Sequence, residues 1–397
     1  MLEQIIIVYP LRFTEFDRKR FEVGYLKKHT NVIIYDLLDS LNKHFSEAYH
    51  DYDESKDVKK LSSVFAWRKS YLESLKNFRG QSYVINFVQP HTFKELFINY
   101  VLSSSGVPII EYANPGIPTY NAVKQSFLSK IRTKYFFIIK RASFKWMVHV
   151  IKYRVVRALY SILCRKSDFI LSVGKSDKNS SPSIISANSF DYSMILEKSR
   201  EFKNSNQDNI IFLDSGGPLF KTDSFMYGNK HPLSKELWYP ALVNFFNIIE
   251  KQTGNKVVVA AHPKHKYTKE SSQYFGSRQV IHDKSMDLIS QASIVITLNS
   301  TAVSYAVMFN KPVIFLISNE VINDGNILLQ EINFYASILG TSAINVDRVD
   351  DKLITNLTVN SEKYILYKNK YLSSRSDNKT NGEIIMDDVI KGISNDR

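Results

Sequence analysis

Lys256-Val-Val-Val-Ala-Ala-His262-Pro263-Lys264-His265-Lys266 is followed by Ala292-Ser-Ile-Val-Ile-Thr-Leu-Asn299-Ser300-Thr301-Ala302 and then by Lys311-Pro312-Val-Ile-Phe-Leu316. Val257 to Ala261, Ile294 to Leu298 and Val313 to Leu316 are short apolar runs rich in β-branched residues, each followed by a polar turn. Strands buried on both faces of a parallel sheet read this way, because helices cover both sides and leave no face for polar residues. In such sheets ligands sit beyond the carboxyl ends of the strands. Two of those ends carry polar residues, His262-Pro263-Lys264 and Asn299-Ser300-Thr301. Ser300 and Thr301 also open the helical run Ala302–Phe309, so hydroxyls and free backbone N–H groups are expected to share one helix N-terminus, a natural anion site. The stretch predicts a pocket for a nucleotide monophosphate or diphosphate.

Upstream of it, Ile210-Ile-Phe-Leu213 reads as another buried strand. It ends in Asp214-Ser215-Gly216-Gly217-Pro218, where glycines let a ligand approach the backbone closely. Tyr239–Glu250 has the apolar spacing of a helix that stops near Gly254. His282 ends a short strand, Gln279–Ile281, as a candidate to face a bound base or as a bystander. Beyond Leu316, helices are expected at Asn326–Leu339 and Asp350–Tyr364, then a polar run, Lys370–Gly382, and a helix, Glu383–Ile393. Toward the N-terminus, strands at Ile5–Tyr9, Val32–Tyr35, Tyr83–Val88 and Val107–Tyr112 alternate with helical stretches such as Phe93–Leu102, and Phe169–Val173 and Ile184–Ala187 add two more. That alternation predicts α/β architecture with doubly wound parallel sheets. A chain of 397 residues exceeds one ordinary core, so two domains are expected. They fall at 1–195 and 196–382, with a linker within 190–208 and a terminal helix and tail at 383–397.

Net charge is +13, and it is local. Between Ala122 and Lys166 there are twelve Lys or Arg and no Asp or Glu, while the remaining 40 basic and 39 acidic residues nearly cancel. This segment, 122–166, also holds Phe127, Tyr135, Phe136, Phe137, Phe144, Trp146, Tyr153 and Tyr160, and Phe144–Leu163 has few helix breakers. Basic, aromatic-rich amphipathic helices lie on anionic membrane surfaces. The other reading is a solvated basic face whose aromatics pack into the N-terminal core. Charge alone is compatible with nucleic acid, but no recognition motif accompanies it, so nucleic acid is not an expected partner. The single cysteine, Cys164, forbids an internal disulfide. With no basic leader and no apolar run of about 18 residues, the expected location is cytoplasmic, peripheral on the inner face of the membrane.

The His262-Pro263 pair after one strand, the Ser300-Thr301 pair after another and the Lys311-Pro312-Val-Ile strand together resemble the donor domain of GT-B glycosyltransferases. The groups most similar are the bacterial sialyltransferase-like, Kdo-transferase and CDP-glycerol polymer transferase groups, and the resemblance covers roughly residues 209–317. It implies a GT-B fold of two Rossmann-like domains facing a cleft. It also implies a donor phosphate bound by His262, Ser300 and Thr301. From their places at strand ends, Pro263, Lys264, Gly216 and Gly217 are read as lining the same site, with a solvated cationic turn the other reading for Lys264. The implied activity is metal-independent transfer of a sugar from a nucleotide donor to a glycan or lipid-linked glycan acceptor in capsule or lipopolysaccharide synthesis. A CMP-activated nonulosonate or Kdo is the implied donor, and no cofactor is implied beyond it.

Such a transfer needs a carboxylate to deprotonate the acceptor hydroxyl and donors to meet the charge growing on the leaving phosphate. Asp214 is the first candidate base. In the sialyltransferase-like groups an acidic-acidic-Gly motif supplies that base, and Asp214-Ser215-Gly216 departs from it by a Ser and lies after the linker, so a turn-forming or substrate-positioning Asp is the other reading. Glu111, ending the fourth strand, is a second candidate base or a surface carboxylate. Asp51-Tyr52-Asp53 matches a metal-binding Asp-x-Asp only formally, since no apolar strand precedes it, and no metal is expected. The chain has no phosphate-loop, dinucleotide-fingerprint, Cys/His-cluster or Gly-x-Ser-x-Gly motif. A nucleotide-sugar 2-epimerase and a membrane-bound scaffold of polysaccharide assembly remain the alternatives.

Overall fold

The computed structural model describes residues 3–43, 53–113, 118, 144–173, 180–198, 208–219, 232–262, 267–268, 272–324, 327–349 and 357–391. The chain divides into two compact units. The first holds the described residues of 1–115 and 121–190 together with those from Arg375 on, and the second holds those from Asp191 to Ser374.

In the first unit seven strands form one parallel sheet. They are β1 (Glu3–Tyr9), β2 (Asn31–Asp36), β3 (Val58–Lys60), β4 (Gln81–Asn86), β5 (Ile109–Ala113), β6 (Phe169–Ser172) and β7 (Ser183–Ser186), in the order β3-β2-β1-β4-β5-β6-β7. Period-two alternation along β1 loads both faces. Ile5 and Ile7 join Phe13, Leu26 and Ile384 on one side, and Ile6 and Val8 join Trp67, Tyr71 and Ile98 on the other. The helices on the second side begin where the sequence supplies caps. Ser63 accepts the N–H of Ala66 at 3.2 Å ahead of Val64–Asn77, and Thr92 with Glu95 forms a capping box ahead of Phe93–Ser104.

The segment set apart in sequence as a terminal helix and tail belongs to this unit. Asn381 and Gly382 donate their N–H groups to Glu22 at 3.1 and 2.9 Å, and Ile384, Ile385, Met386, Val389 and Ile390 complete the core around Ile5 and Phe13. Asp53 of the Asp51-Tyr52-Asp53 triplet is buried, paired with Arg18, and accepts the N–H of Ser55 at 2.8 Å. Asp51 and Tyr52 lie outside the described residues.

The second unit repeats the plan. Its strands are β8 (Ile210–Leu213), β9 (Val257–Ala260), β10 (Val280–Ile281), β11 (Ile294–Thr297), β12 (Val313–Ile317) and β13 (Ala343–Asn345), all parallel, in the order β10-β9-β8-β11-β12-β13. Every residue of β8, β9 and β11 is buried, as runs that are apolar throughout but for Thr297 require. The helix read at Tyr239–Glu250 runs Lys235–Thr253 and ends on Gly254 at φ 76°. The expected α/β class, two doubly wound parallel-sheet domains, is what the structure shows. β3 and β13 were not expected; each is a three-residue edge strand, too short to show a period. The helix expected over Asp350–Tyr364 instead spans Ser361–Tyr367, starting where Asn360 caps the N–H of Lys363 at 3.0 Å. Residues 350–356 lie outside the described ones.

Candidate functional site

The second sheet starts at β8, runs outward through β9 and β10, then returns to the other side of β8 with β11. At such a reversal the connections leave in opposite directions and open a crevice beyond the carboxyl ends. Here the two bordering loops are Asp214-Ser215-Gly216-Gly217 after β8 and Leu298-Asn299-Ser300-Thr301 after β11. The topology therefore brings Asp214, Gly216 and Gly217 to the same sheet edge as Ser300 and Thr301, with the β9 end carrying His262 next to them.

The β8 loop turns sharply. Gly216 and Gly217 have φ of 84° and 43°, in the left-handed region where a side chain is strained. A Cβ on Gly217 would still find ordinary contacts, 3.5 Å from Nε1 of Trp238 and 3.6 Å from the Tyr239 hydroxyl, so backbone conformation is what calls for glycine.

Asp214 is buried and ties this loop to its neighbours. Its carboxylate accepts the Tyr267 hydroxyl and the backbone N–H groups of Gly216 and His262. Burial pushes its pKa up to about 6, against the opposing pull of those three donors. Burial and the Asp214 charge together push the Tyr267 and Tyr239 phenols well above their ordinary range, so both stay protonated. Tyr267 also lies edge-on to Phe275 at 5.4 Å and tilted against His282 at 6.1 Å, which places His282 beside this cluster. His262 itself is half-buried. Pro263, Lys264, His265 and Lys266 lie outside the described residues.

The β11 loop is organised by Thr297, a residue the sequence reading passed over. Its hydroxyl is fully buried, donates to the carbonyl of Leu213 at 3.4 Å and accepts the N–H of Ser300 at 3.0 Å. One side chain thus joins the end of β8 to the turn after β11. The expected helix over Ala302–Phe309 is shorter, Val303–Met308, with Ala302 at its N-cap and no side-chain cap.

The expectation of free N–H groups at that helix start is corrected. Ala302 donates to Oγ of Ser300 at 3.3 Å, Val303 to the carbonyl of Ser300 at 3.3 Å, and Ser304 to the carbonyl of Thr301 at 3.2 Å. A tight turn has consumed the donors that a longer helix would have left open. Thr301 is the exception. It is exposed, and its hydroxyl and N–H engage no partner among the described residues.

Glu111 belongs to the first unit. It sits in the middle of β5, not at its end as expected, in register with Asn86 of β4, half-buried, and accepts the Asn86 amide at 3.4 Å. Burial raises its pKa. Asn86 is fixed in turn by Oδ1 of Asn99 at 3.0 Å.

No family model matches the chain, and no curated protein matches it in sequence. Among solved structures it is similar to MurG of Acinetobacter baumannii, at 10% identity and a TM-score of 0.47 over 98% of this chain and 100% of that one. It is also similar to the UDP-GlcNAc 2-epimerase of Neisseria meningitidis solved with UDP-GlcNAc, at 13% identity and a TM-score of 0.47 over 98% and 100% of the two chains. A third is the glycotransferase of kitacinnamycin, at 9% identity and a TM-score of 0.47 over 98% of each chain.

Proposed function

We propose that this chain is a metal-independent glycosyltransferase of cell-surface polysaccharide synthesis that holds a nucleotide-sugar donor at the carboxyl edge of its second sheet. The observation that carries the reading is the meeting of two loops at the strand-order reversal. A left-handed Gly216-Gly217 turn gives backbone access there, and Thr301 offers a hydroxyl and N–H that engage no partner among the described residues. Leaving-group departure puts negative charge on the nucleotide phosphate, and fixed donors aimed at it lower the barrier. Thr301 supplies two such donors, the Ser300 hydroxyl keeps its proton to donate while its oxygen accepts from Ala302, and His262 and Lys264 are further donors on the sequence reading. Asp214 acts by position: its lone pairs serve Tyr267, Gly216 and His262 and hold the β8 and β9 loops together. Glu111, in the first unit, is the remaining candidate for the general base on the sequence reading, and burial raises its pKa. On the motif resemblance alone, the donor is a CMP-linked acidic sugar and the acceptor a glycan or lipid-linked glycan.

A 2-epimerase acting on a nucleotide sugar is the second reading, favoured by the pKa of Asp214 near 6, which suits a carboxylate for proton transfer at neutral pH. Thermal melting of the full chain with CMP, CDP, UDP and GDP tests the pocket. A ligand that binds only the folded state at one hundred times its Kd adds about 2.7 kcal/mol, a shift of several degrees. CMP or CDP is expected to give the largest shift, and a divalent-metal chelator is expected to leave it unchanged. A larger shift with UDP overturns the CMP assignment, and no shift with any nucleotide overturns the pocket. Product analysis then separates transfer to an acceptor from an epimerised donor.

A further inference from the structure

Three neighbouring helices of the first unit each expose a pair of large apolar side chains seven residues apart, and so on one side of the helix. They are Phe65 and Leu72 on Val64–Asn77, Phe93 and Tyr100 on Phe93–Ser104, and Val155 and Ile162 on Phe144–Leu163. The helices are joined in a layer: Phe65 meets Phe97 at 5.4 Å, and Tyr153 stacks on His91, next to the start of Phe93–Ser104, at 5.8 Å. On Phe144–Leu163 the stripe is longest. Ile151, Val155, Ala158 and Ile162 fall within about 60° of arc, opposite the buried Val156, and Ile151 and Ile162 are 58% and 77% exposed. Lys152 and Arg154 stand on either side of that stripe.

The same layer is basic. Arg68, Lys69, Lys76, Lys152, Arg154 and Arg157 are all exposed, none is in an ion pair among the described residues, and Glu73 is the one exposed acidic side chain on the three helices. Apolar side chains set among unpaired cations need a partner that is apolar within and negative at its surface. A second copy of the chain would bring the same positive charge and be repelled. We infer that this three-helix face docks on an anionic lipid surface, with Ile151, Val155 and Ile162 entering between headgroups and Lys152 and Arg154 contacting lipid phosphates. No helix among the described residues is long and apolar enough to cross the membrane, so Phe144–Leu163 lies along the surface, its Lys and Arg stems reaching the headgroup layer. This docking concerns the first unit and is independent of the nucleotide site.

Vesicle co-sedimentation of the full chain tests it, using pure phosphatidylcholine and phosphatidylcholine with about a quarter phosphatidylglycerol. Partitioning is expected to be at least about ten-fold stronger on the anionic vesicles and to fall steeply as salt rises from about 0.05 to 0.5 M. Lys152→Glu with Arg154→Glu is expected to weaken the low-salt binding by about ten-fold or more. Ile151→Ser with Ile162→Ser is expected to weaken it at every salt concentration, because the lost contribution is apolar. Both variants are expected to keep wild-type melting and nucleotide response, since the substituted side chains are exposed. Equal retention on neutral and anionic vesicles, retention on neither, or wild-type binding by both variants overturns the inference. Retention on neither together with capture by an acidic protein would assign the face to a protein partner instead.

Discussion

Tyr267 donates its hydroxyl to the carboxylate of Asp214, and so joins the chain after the β9 loop to the loop after β8. The same carboxylate accepts the N–H of Gly216 within its own loop and the N–H of His262 from the next. Removing the charge while keeping an oxygen should therefore alter stability more than chemistry.

The sign follows from the direction of the shift. The folded-state pKa of Asp214 is raised from 3.8 to about 6, so between those values the folded chain binds more protons than the unfolded one. Stability from this group is full below about pH 4 and is lost as pH rises through 6, by roughly 3 kcal/mol at neutrality. Asp214→Asn is expected to melt higher than wild type at pH 8, with the difference shrinking toward pH 4. Its turnover is expected to stay within about ten-fold of wild type, since loss of a general base costs about a hundred-fold or more. Paired melting curves and kcat values check both halves; a hundred-fold fall in kcat in a folded variant would return Asp214 to the base role.

Gly382 packs closely against the first unit after the chain has rejoined it at Arg375. A Cβ there would lie 2.8 Å from Oε2 of Glu22 and 2.8 Å from Cδ1 of Tyr25, while its N–H donates to that same Glu22 oxygen at 2.9 Å. Gly382→Ala is expected to cost about 1 to 3 kcal/mol as Glu22 and Tyr25 are pushed aside. Limited proteolysis is expected to cut the segment after Ser374 sooner than in wild type. Unchanged melting and unchanged proteolysis would show that this contact does not hold the segment.

Legibility in the sequence followed the length and burial of each element. Val257–Ala260 is apolar at every position, and Ile294–Thr297 at every position but its last, because both faces of their sheet are covered, and that composition is visible without coordinates. The edge strands Val58–Lys60 and Ala343–Asn345 carry no such mark, since three half-exposed residues fit any loop. The return of Ile384–Ile390 to the first core depends on Glu22, a partner some 360 positions away in sequence, and no local pattern reports it. At the site, the strand ends were readable but their wiring was not. Thr297 looks like one more β-branched residue in an apolar run, and only the pairing of β11 with β8 shows its hydroxyl bridging Leu213 and Ser300. A polar β-branched residue closing a buried strand was the available signal.

That wiring separates Ser300 from Thr301. The Ser300 oxygen caps Ala302 at 3.3 Å, so Ser300→Ala disturbs the turn as well as any ligand contact, whereas the Thr301 hydroxyl engages nothing among the described residues. Thr301→Val keeps the shape and removes one donor. It is expected to leave melting without ligand within a degree or two of wild type and to lower turnover at least ten-fold, toward the 2.7 to 4 kcal/mol typical of about one lost donor at a developing charge. Ser300→Ala combined with Thr301→Ala is expected to lower both turnover and melting. His262→Ala is expected to lower turnover by at least about ten-fold while its backbone N–H still serves Asp214. Steady-state kinetics and nucleotide-dependent melting on the same preparations check the series. If Thr301→Val folds normally and turns over at the wild-type rate with undiminished nucleotide affinity, the phosphate is held elsewhere on the sheet edge and the assignment of this turn fails.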